Sequence, residues 1–446
     1  MFSKYVMFVV IFVPISDCAN ILGIMPTPSY SHQIVYTPLW KELSLRGHNV
    51  TVITTNPMND PKLVNLTEID ISFVYSYFAN ISREGENTLT MWNILEDLSE
   101  IGLIISEAVL SSPSVRELIN NEKSFDVVLV ESIFAGFLNF AKIYNCPAIL
   151  ISSFDVAAPL HRAVGNPSYT SLYPELNAPF LAPLNFKERI INTVYSWYIS
   201  YCISYVFYPK SEKMFKRYFT SVVSTETLIR DVDMIFLNIN PVIQTVRATG
   251  PSTINIGGYR ETISAKPLPK DLEVFLDEAT DGFIYFSLGS NMKSNELAGP
   301  TFTAIFEALK ELALKVLWKF EDDNLPEKPD HIKIMKWVPQ EKSMEEGIYR
   351  GVPFVVIPFF GDQIPNAKLM ESKGIAKIVQ RKPSVDKDEL KHAILDVINN
   401  PRYKDSVKRL RRQALDTPLT GIESAVWWTE YVIRHKGGKT SQKSSC

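Results

Sequence analysis

Cysteine is scarce in this chain, four in 446 residues, and that scarcity excludes a fold stapled by disulfides. Cys18 falls at the end of a leader-like segment, so only Cys146, Cys202 and Cys446 lie beyond it. A dominant charge is lacking too: 46 Lys and Arg stand against 49 Asp and Glu, a net charge of −3. Without a basic excess nothing holds a polyanion, so no nucleic-acid partner is expected. The six histidines are scattered, and none shares ligand spacing with further His or carboxylate residues, which leaves metal-dependent chemistry unsupported. No G-x-G-x-x-G follows the first apolar strand of either half, so a nicotinamide dehydrogenase is set aside as well. What is present is a globular composition, 46% hydrophobic, in a chain long enough for roughly two or three domains.

Long apolar runs are few. Lys4 precedes an apolar run at 6–14, and the small residues of 16–19 offer a cleavage point, the layout of a secretory signal peptide. Residues 1–19 are expected to leave, with the mature chain starting close to Asn20. A second run of spanning length, "IINTVYSWYISYCISYVFYP" at 190–209, is uncharged but carries five Tyr. Tyr, Ser, Asn and Thr are costly in hydrocarbon, whereas Tyr and Trp favour the headgroup region. The run therefore reads as an aromatic helix lying on a membrane surface or lining an apolar pocket, with an ordinary interior helix as the alternative. Asn-x-Ser/Thr triplets mark Asn49, Asn65 and Asn80. Asn49 adjoins the strand-like "NVTVITT" and is expected to be too buried to glycosylate, which leaves Asn65 and Asn80 as acceptors.

The remaining pattern alternates short apolar runs with helical periodicity. "NILGIMP" (20–26) predicts a strand, Val35, Leu39 and Leu43 at i, i+4, i+8 predict a helix ending at Gly47, and "NVTVITT" predicts the next strand. "FDVVLVE" and "PAILISS" continue the series. It restarts with "GFIYFSLGS" (282–290), a helix over "FTAIFEALKEL", then "KVLWKF", "IKIMKWV" and "PFVVIPFF". Two βαβ series imply an α/β protein of two doubly wound, Rossmann-like domains facing across a cleft. The expected division is 20–256, a linker at 257–275, 276–425, and a C-terminal helix with a polar tail at 426–446.

Open parallel sheets bind ligands just beyond their strand ends. His32 follows the first strand, and imidazole is matched to taking a proton near neutral pH. Glu131 ends a neighbouring strand, where its carboxylate can orient and charge-balance His32. In the second half, "SLGS" offers backbone N–H groups and the Ser290 hydroxyl. Trp337 presents a flat face and Gln340 an amide for a base. Asp362 and Gln363 follow an apolar strand, in a place suited to hydroxyl-rich ligands and hostile to phosphate.

"SHQIVYTPLWKELSLRGHNVTVITT", "FIYFSLGSN", "VLWKFEDD", "KWVPQ" and "GVPFVVIPFFGDQIPNAKLMESKG" together resemble the animal UDP-glycosyltransferases and UDP-glucuronosyltransferases, especially those of insects, in order along nearly the whole chain. The resemblance implies a GT-B fold, an acceptor-binding first domain, and inverting transfer of a hexosyl group from UDP-glucose or UDP-glucuronic acid to a small lipophilic acceptor. It implies no metal and no cofactor, the UDP-sugar being a co-substrate. By the same resemblance His32 is the general base, and Glu131 stands where many members carry Asp as its partner. Trp337 would stack on uracil, Gln340 contact the uridine, Glu346 the ribose and Ser290 the diphosphate. Asp362 and Gln363 would hold the sugar, and Ser343 joins the donor-binding set.

One block of that pattern is missing. The family runs from W-x-P-Q through a helix, a strand and an H-G-G-type turn before the serine that matches Ser343. Between Gln340 and Ser343 this chain lacks about 16 residues of it, enough for one strand and its turn. The lost strand would sit beside "GFIYFSLGS", leaving backbone groups to be paired some other way. The expectation is thus a UDP-glycosyltransferase by descent whose catalytic competence is in question, or an inactive variant that still binds acceptor or full-length partners. The family's C-terminal anchor is missing from this chain as well, so the expected location is the endoplasmic reticulum lumen or outside the cell, with the oligomeric state left open.

Overall fold

The central strands of the first half form where aliphatic runs are covered on both faces. The computed structural model describes residues 18–77, 91–120, 123–258, 268–289, 294–297, 299–322, 325, 327–336, 343–359 and 363–437. The leader to residue 17, Asn80, residues 259–267 of the linker, Ser290, Trp337, Gln340, Asp362 and the tail from 438 lie outside the described residues.

The first half is built on one sheet. Its strands are β1 (Asn20–Met25), β2 (Asn49–Thr54), β3 (Leu66–Asp70), β4 (Val127–Glu131), β5 (Ala148–Ser152), β6 (Met234–Leu237) and β7 (Thr253–Asn255). They lie in the order β3-β2-β1-β4-β5-β6-β7, every pairing parallel. Side chains alternate between two cores. Leu22, Ile24, Val128, Val130 and Leu150 face the helix Ile94–Ser111, while Ile21, Met25, Val127, Leu129 and Ile149 face the helix Tyr30–Leu45. Each such buried aliphatic side chain contributes about 1.5–3 kcal/mol, and covering both faces is what stabilises a parallel sheet. The first helix gives way at Gly47, whose φ of +93° favours glycine at this turn.

The second half repeats the winding but not the continuity. Its strands are β8 (Phe283–Phe286), β9 (Lys315–Lys319), β10 (Ile332–Met335), β11 (Phe354–Val356) and β12 (Ala376–Ile378). They form two parallel pieces, β10-β9-β8 and β11-β12. In the first half the equivalent run, β3-β2-β1-β4-β5, is unbroken. Among the described residues nothing pairs with the second edge of β8 or of β11. Phe283 and Tyr285 of β8 are 47% and 37% exposed, whereas Ile21, Leu22 and Ile24 of β1 are fully buried.

The halves exchange segments. Ile243, just after β6, packs with Ile348, Met370 and Val407 of the second half. Asn240 donates to the Tyr349 hydroxyl at 3.2 Å and Lys373 to the Val242 carbonyl at 2.9 Å. In return the helix Gly421–Arg434 puts Ala425, Val426 and Val432 into the core of Ile21, Tyr36 and Leu39. It starts so close to Ile256 that a Cβ on Gly421 would meet the Ile256 oxygen at 1.9 Å.

The 190–209 run spans a helix Phe186–Tyr201, a π-helical turn Cys202–Phe207 and the start of a helix Tyr208–Phe215. A capping box of Asn185 and Glu188 opens it. Asn192, Tyr195, Ser196 and Ile199 are buried, while Phe186, Ile190, Val194, Trp197, Tyr201 and Tyr205 are exposed. The segment is therefore half core and half surface. No single described helix is long and apolar enough to cross a membrane; one bent pair, Leu95–Ser111 with Pro113–Asn120, passes by length and composition. Ile105, Val109, Leu110 and Val115 of that pair lie in the first core. Asn49 corrects an expectation: it opens β2 but sits at its exposed end, with its amide donating to Asn20 Oδ1 at 3.2 Å. Strand ends are wetter than strand centres. Asn65 is half-buried, and its amide donates to the Ser44 carbonyl at 3.4 Å.

Candidate active site

Three strand ends of the first sheet converge. His32 lies in the first turn of the helix after β1, Glu131 is the last residue of β4, and Ser153 follows β5 directly. Because β1, β4 and β5 are neighbours, their carboxyl ends bring these residues together. His32 Nδ1 is 3.1 Å from Glu131 Oε1 and 2.9 Å from Ser153 Oγ. The edge of Phe154 closes the ring's flank, centroids 5.2 Å apart.

The carboxylate is itself held. Oε2 accepts from the Thr27 N–H at 3.2 Å and Oε1 from the Tyr36 hydroxyl at 3.3 Å. Gln33 pins the turn that carries Thr27, donating to the carbonyls of Met25 and Thr27 at 2.9 and 2.8 Å while Thr54 donates to its oxygen. Glu131 is 1% exposed and the His32 side chain 19%. A buried carboxylate beside Nδ1 favours the tautomer with its proton there, which leaves Nε2 as a bare lone pair. Among the described residues nothing hydrogen-bonds Nε2. Such a nitrogen can accept a proton from a hydroxyl brought against it, and the carboxylate offsets the charge that develops.

Two residues past Ser153, Asp155 anchors a second network. His161 donates from Nε2 to Asp155 Oδ1 at 2.8 Å and accepts at Nδ1 from Asn166 at 3.0 Å, and Arg247 is 3.3 Å from Asp155 Oδ2. Burial alone would raise the Asp155 pKa, but the His161 hydrogen bond and the Arg247 charge outweigh it and hold the carboxyl below its usual range. This network fixes the chain that carries Ser153 and Phe154.

The second half shows part of its expected set. Glu346 is half-buried on the helix Ser343–Arg350, close enough to Tyr285 of β8 to add to the rise in its hydroxyl pKa that burial causes. Ser343 begins that helix. Gln363 opens the helix Gln363–Ser372 and turns its oxygen back to accept from the Phe359 N–H at 2.8 Å. Ser290, Trp337, Gln340 and Asp362 lie outside the described residues. Beneath the turn before Ser290, Lys319 donates to the Gly289 carbonyl at 2.9 Å and pairs with Glu321 at 3.0 Å. The sequence reading missed Lys319, Ser153 and Tyr36. Ser153 was findable, since it leaves its strand as Glu131 leaves its own, and Tyr36 lies four residues after His32 on one helix face. No group of three or more His, Cys, Asp or Glu among the described residues can hold a metal ion.

Two doubly wound halves with a histidine site at the strand ends of the first define a GT-B protein. Solved glycosyltransferases share this fold: VinC in complex with DTDP superposes with a TM-score of 0.62 at 13% identity, over 93% of this chain and 100% of that one. The glycosyltransferase of kitacinnamycin gives 0.59 at 18% identity, over 94% and 98%. The particular family follows from the sequence. The family model described as UDP-glucoronosyl and UDP-glucosyl transferase matches residues 21–444, and the chain belongs to that family. UDP-glucosyltransferase 2 of Dactylopius coccus is 30% identical over 449 residues, covering 95% of this chain and 85% of that protein. UDP-glucuronosyltransferase 2B15 of Homo sapiens is 28% identical over 472 residues, covering 95% and 86%.

Proposed function

We propose that this UDP-glycosyltransferase relative binds a small lipophilic acceptor in its first half and presents the acceptor hydroxyl to Nε2 of His32. The observation that carries the reading is the contact of His32 Nδ1 with the buried Glu131. His32 takes the hydroxyl proton as the oxygen attacks the anomeric carbon of the sugar. The bond to UDP breaks on the opposite face, so the configuration inverts, and Glu131 balances the imidazolium. Glucose and glucuronic acid are the candidate sugars. Ser290, Trp337, Gln340, Ser343, Glu346, Asp362 and Gln363 are the proposed donor contacts, on the division 20–256, 257–275 and 276–425.

A second reading has its own support. The interruption between β8 and β11 falls where a doubly wound domain places its switch-point strand and the phosphate turn after it. On this reading the chain keeps its acceptor half and has a weakened donor half. Transfer from UDP-glucose and UDP-glucuronic acid to a phenol panel, beside a version with the block restored between Gln340 and Ser343, separates the two. We expect the restored protein to be active and this chain about a hundredfold slower, the scale of losing one charge-stabilising donor. Equal rates would remove the second reading, and inactivity of both the first.

The leader-like pattern of residues 1–19 supports a location in the endoplasmic reticulum lumen or outside the cell, where Asn65 and Asn80 are glycosylation candidates. The exposed stripe of Phe186, Ile190, Val194, Trp197, Tyr201 and Tyr205 supports contact with a membrane surface, the source from which lipophilic acceptors partition.

A further inference from the structure

The amino end of β1 is held by side chains. We infer that the polypeptide is cut between Cys18 and Ala19, and that the new α-ammonium of Ala19 is received by His48 with Glu430 behind it. The inference rests on the secretory reading above and on none of the transferase chemistry.

Ala19 belongs to the fold. It is 3% exposed and lies in the core of Ile21, Tyr36 and Val50. Its carbonyl accepts from the Asn49 N–H at 2.9 Å and its N–H donates to His48 Nδ1 at 3.3 Å. Cys18, one residue earlier, is an exposed free thiol. Among the described residues, the change from exposed to buried thus falls on the bond between Cys18 and Ala19. The sequence selects the same bond: Ser16 and Cys18 are small residues at the third and first positions before it, as leader peptidases require. A cut after Ala19 would put the charged Asp17 in the third position and would strip away the buried residue that precedes β1.

The site awaiting the new terminus is polar and assembled. His48 is nearly buried. With Nδ1 accepting from Ala19, its own proton sits on Nε2, 3.4 Å from Glu430 Oε1. Arg46 fixes the same oxygen at 3.3 Å. One residue on, the Asn20 N–H donates to Asp126 Oδ2 at 2.7 Å, which sets a second carboxylate beside the ammonium. Glu430 belongs to the helix Gly421–Arg434, so the captured terminus ties β1 to that helix. The reaction is hydrolysis by a leader endopeptidase: water gives its hydroxyl to the Cys18 carbonyl carbon, the C–N bond breaks, and the Ala19 nitrogen takes the protons and leaves as an ammonium. The unpaired Cys18 thiol departs with the leader.

The test is the amino terminus of the full-length chain produced in a eukaryotic secretory host, read by intact mass and N-terminal sequencing. Ala19 as first residue is expected. A start at Asn20 or elsewhere overturns the site but leaves the secretory reading standing, whereas retention of Met1 overturns both. Capture is tested by urea unfolding of His48→Ala in a chain starting at Ala19 and in one bearing Gly-Ser before it. A charge-assisted bond is about twice as strong as a neutral one, so the substitution should raise the unfolding constant about fivefold more in the first chain, with His48→Asn restoring part of it. An equal effect in both chains removes the capture.

Discussion

Ser153 Oγ stands 2.9 Å from Nδ1 of His32, on the same ring nitrogen that faces Glu131. One proton on that nitrogen thus has two oxygens to choose between. Both hydrogen bonds of the imidazole are at Nδ1, and among the described residues none is made at Nε2. If this arrangement sets the base, Glu131→Gln in the block-restored protein lowers kcat by about a hundredfold or more, within the usual range for general base catalysis. Ser153→Ala, which removes only the second oxygen, lowers kcat about tenfold with KM unchanged. Steady-state rates with one phenolic acceptor check both, and a change confined to KM would contradict the assignment.

The break between β8 and β11 predicts unequal stability. Hydrogen exchange followed by mass spectrometry should find the β8 amides exchanging at least about tenfold faster than those of β1 and β4, because among the described residues β8 pairs along one edge alone, and such a strand opens without global unfolding. Uniform protection across both halves would mean that β8 is paired after all.

Asp155 predicts an acid limb. Its carboxyl is depressed in the folded protein relative to the ordinary value of 3.8, so its contribution to stability is complete above that value. It is lost as the pH falls below 3.8 and through the folded pKa. Urea midpoints measured from pH 6 down to about pH 3 should fall more gently for Asp155→Asn than for the parent, from a lower starting point. Parallel curves would exclude Asp155 as a contributor.

The exposed aromatic stripe predicts vesicle binding. Trp197→Ser with Tyr201→Ser should weaken co-sedimentation with phosphatidylcholine and phosphatidylserine vesicles about tenfold or more, since the two rings carry much of the apolar area that meets the interface. Unchanged partitioning would assign the stripe elsewhere.

Much of this architecture was legible in the residues. Val127–Val130 and Ala148–Ile151 are runs that only a strand covered on both faces accommodates, and Gly47 ends its helix for a local reason. His32 and Glu131 were each findable from the rule that parallel strands bind ligands beyond their ends. Their meeting was not, because it depends on β4 lying beside β1, a pairing of residues about a hundred apart that no local pattern encodes. The same holds for Asn49, whose triplet and strand were readable but whose exposure followed from where β2 begins.

The 190–209 segment divides the two kinds of information most sharply. Its composition, read alone, gave an aromatic helix costly to place in hydrocarbon and left a membrane surface, an apolar pocket and the interior open as its setting. Which face is wet was decided only when Tyr195 and Ile199 packed with Ala178 and Asn192 donated to the Thr170 and Tyr173 carbonyls, which left Trp197, Tyr201 and Tyr205 outside. Local free energies set periodicity and caps within a few residues. Partners far apart in the chain are chosen by burial and by the pairing of backbone groups, and those terms exist only once the sheet has assembled.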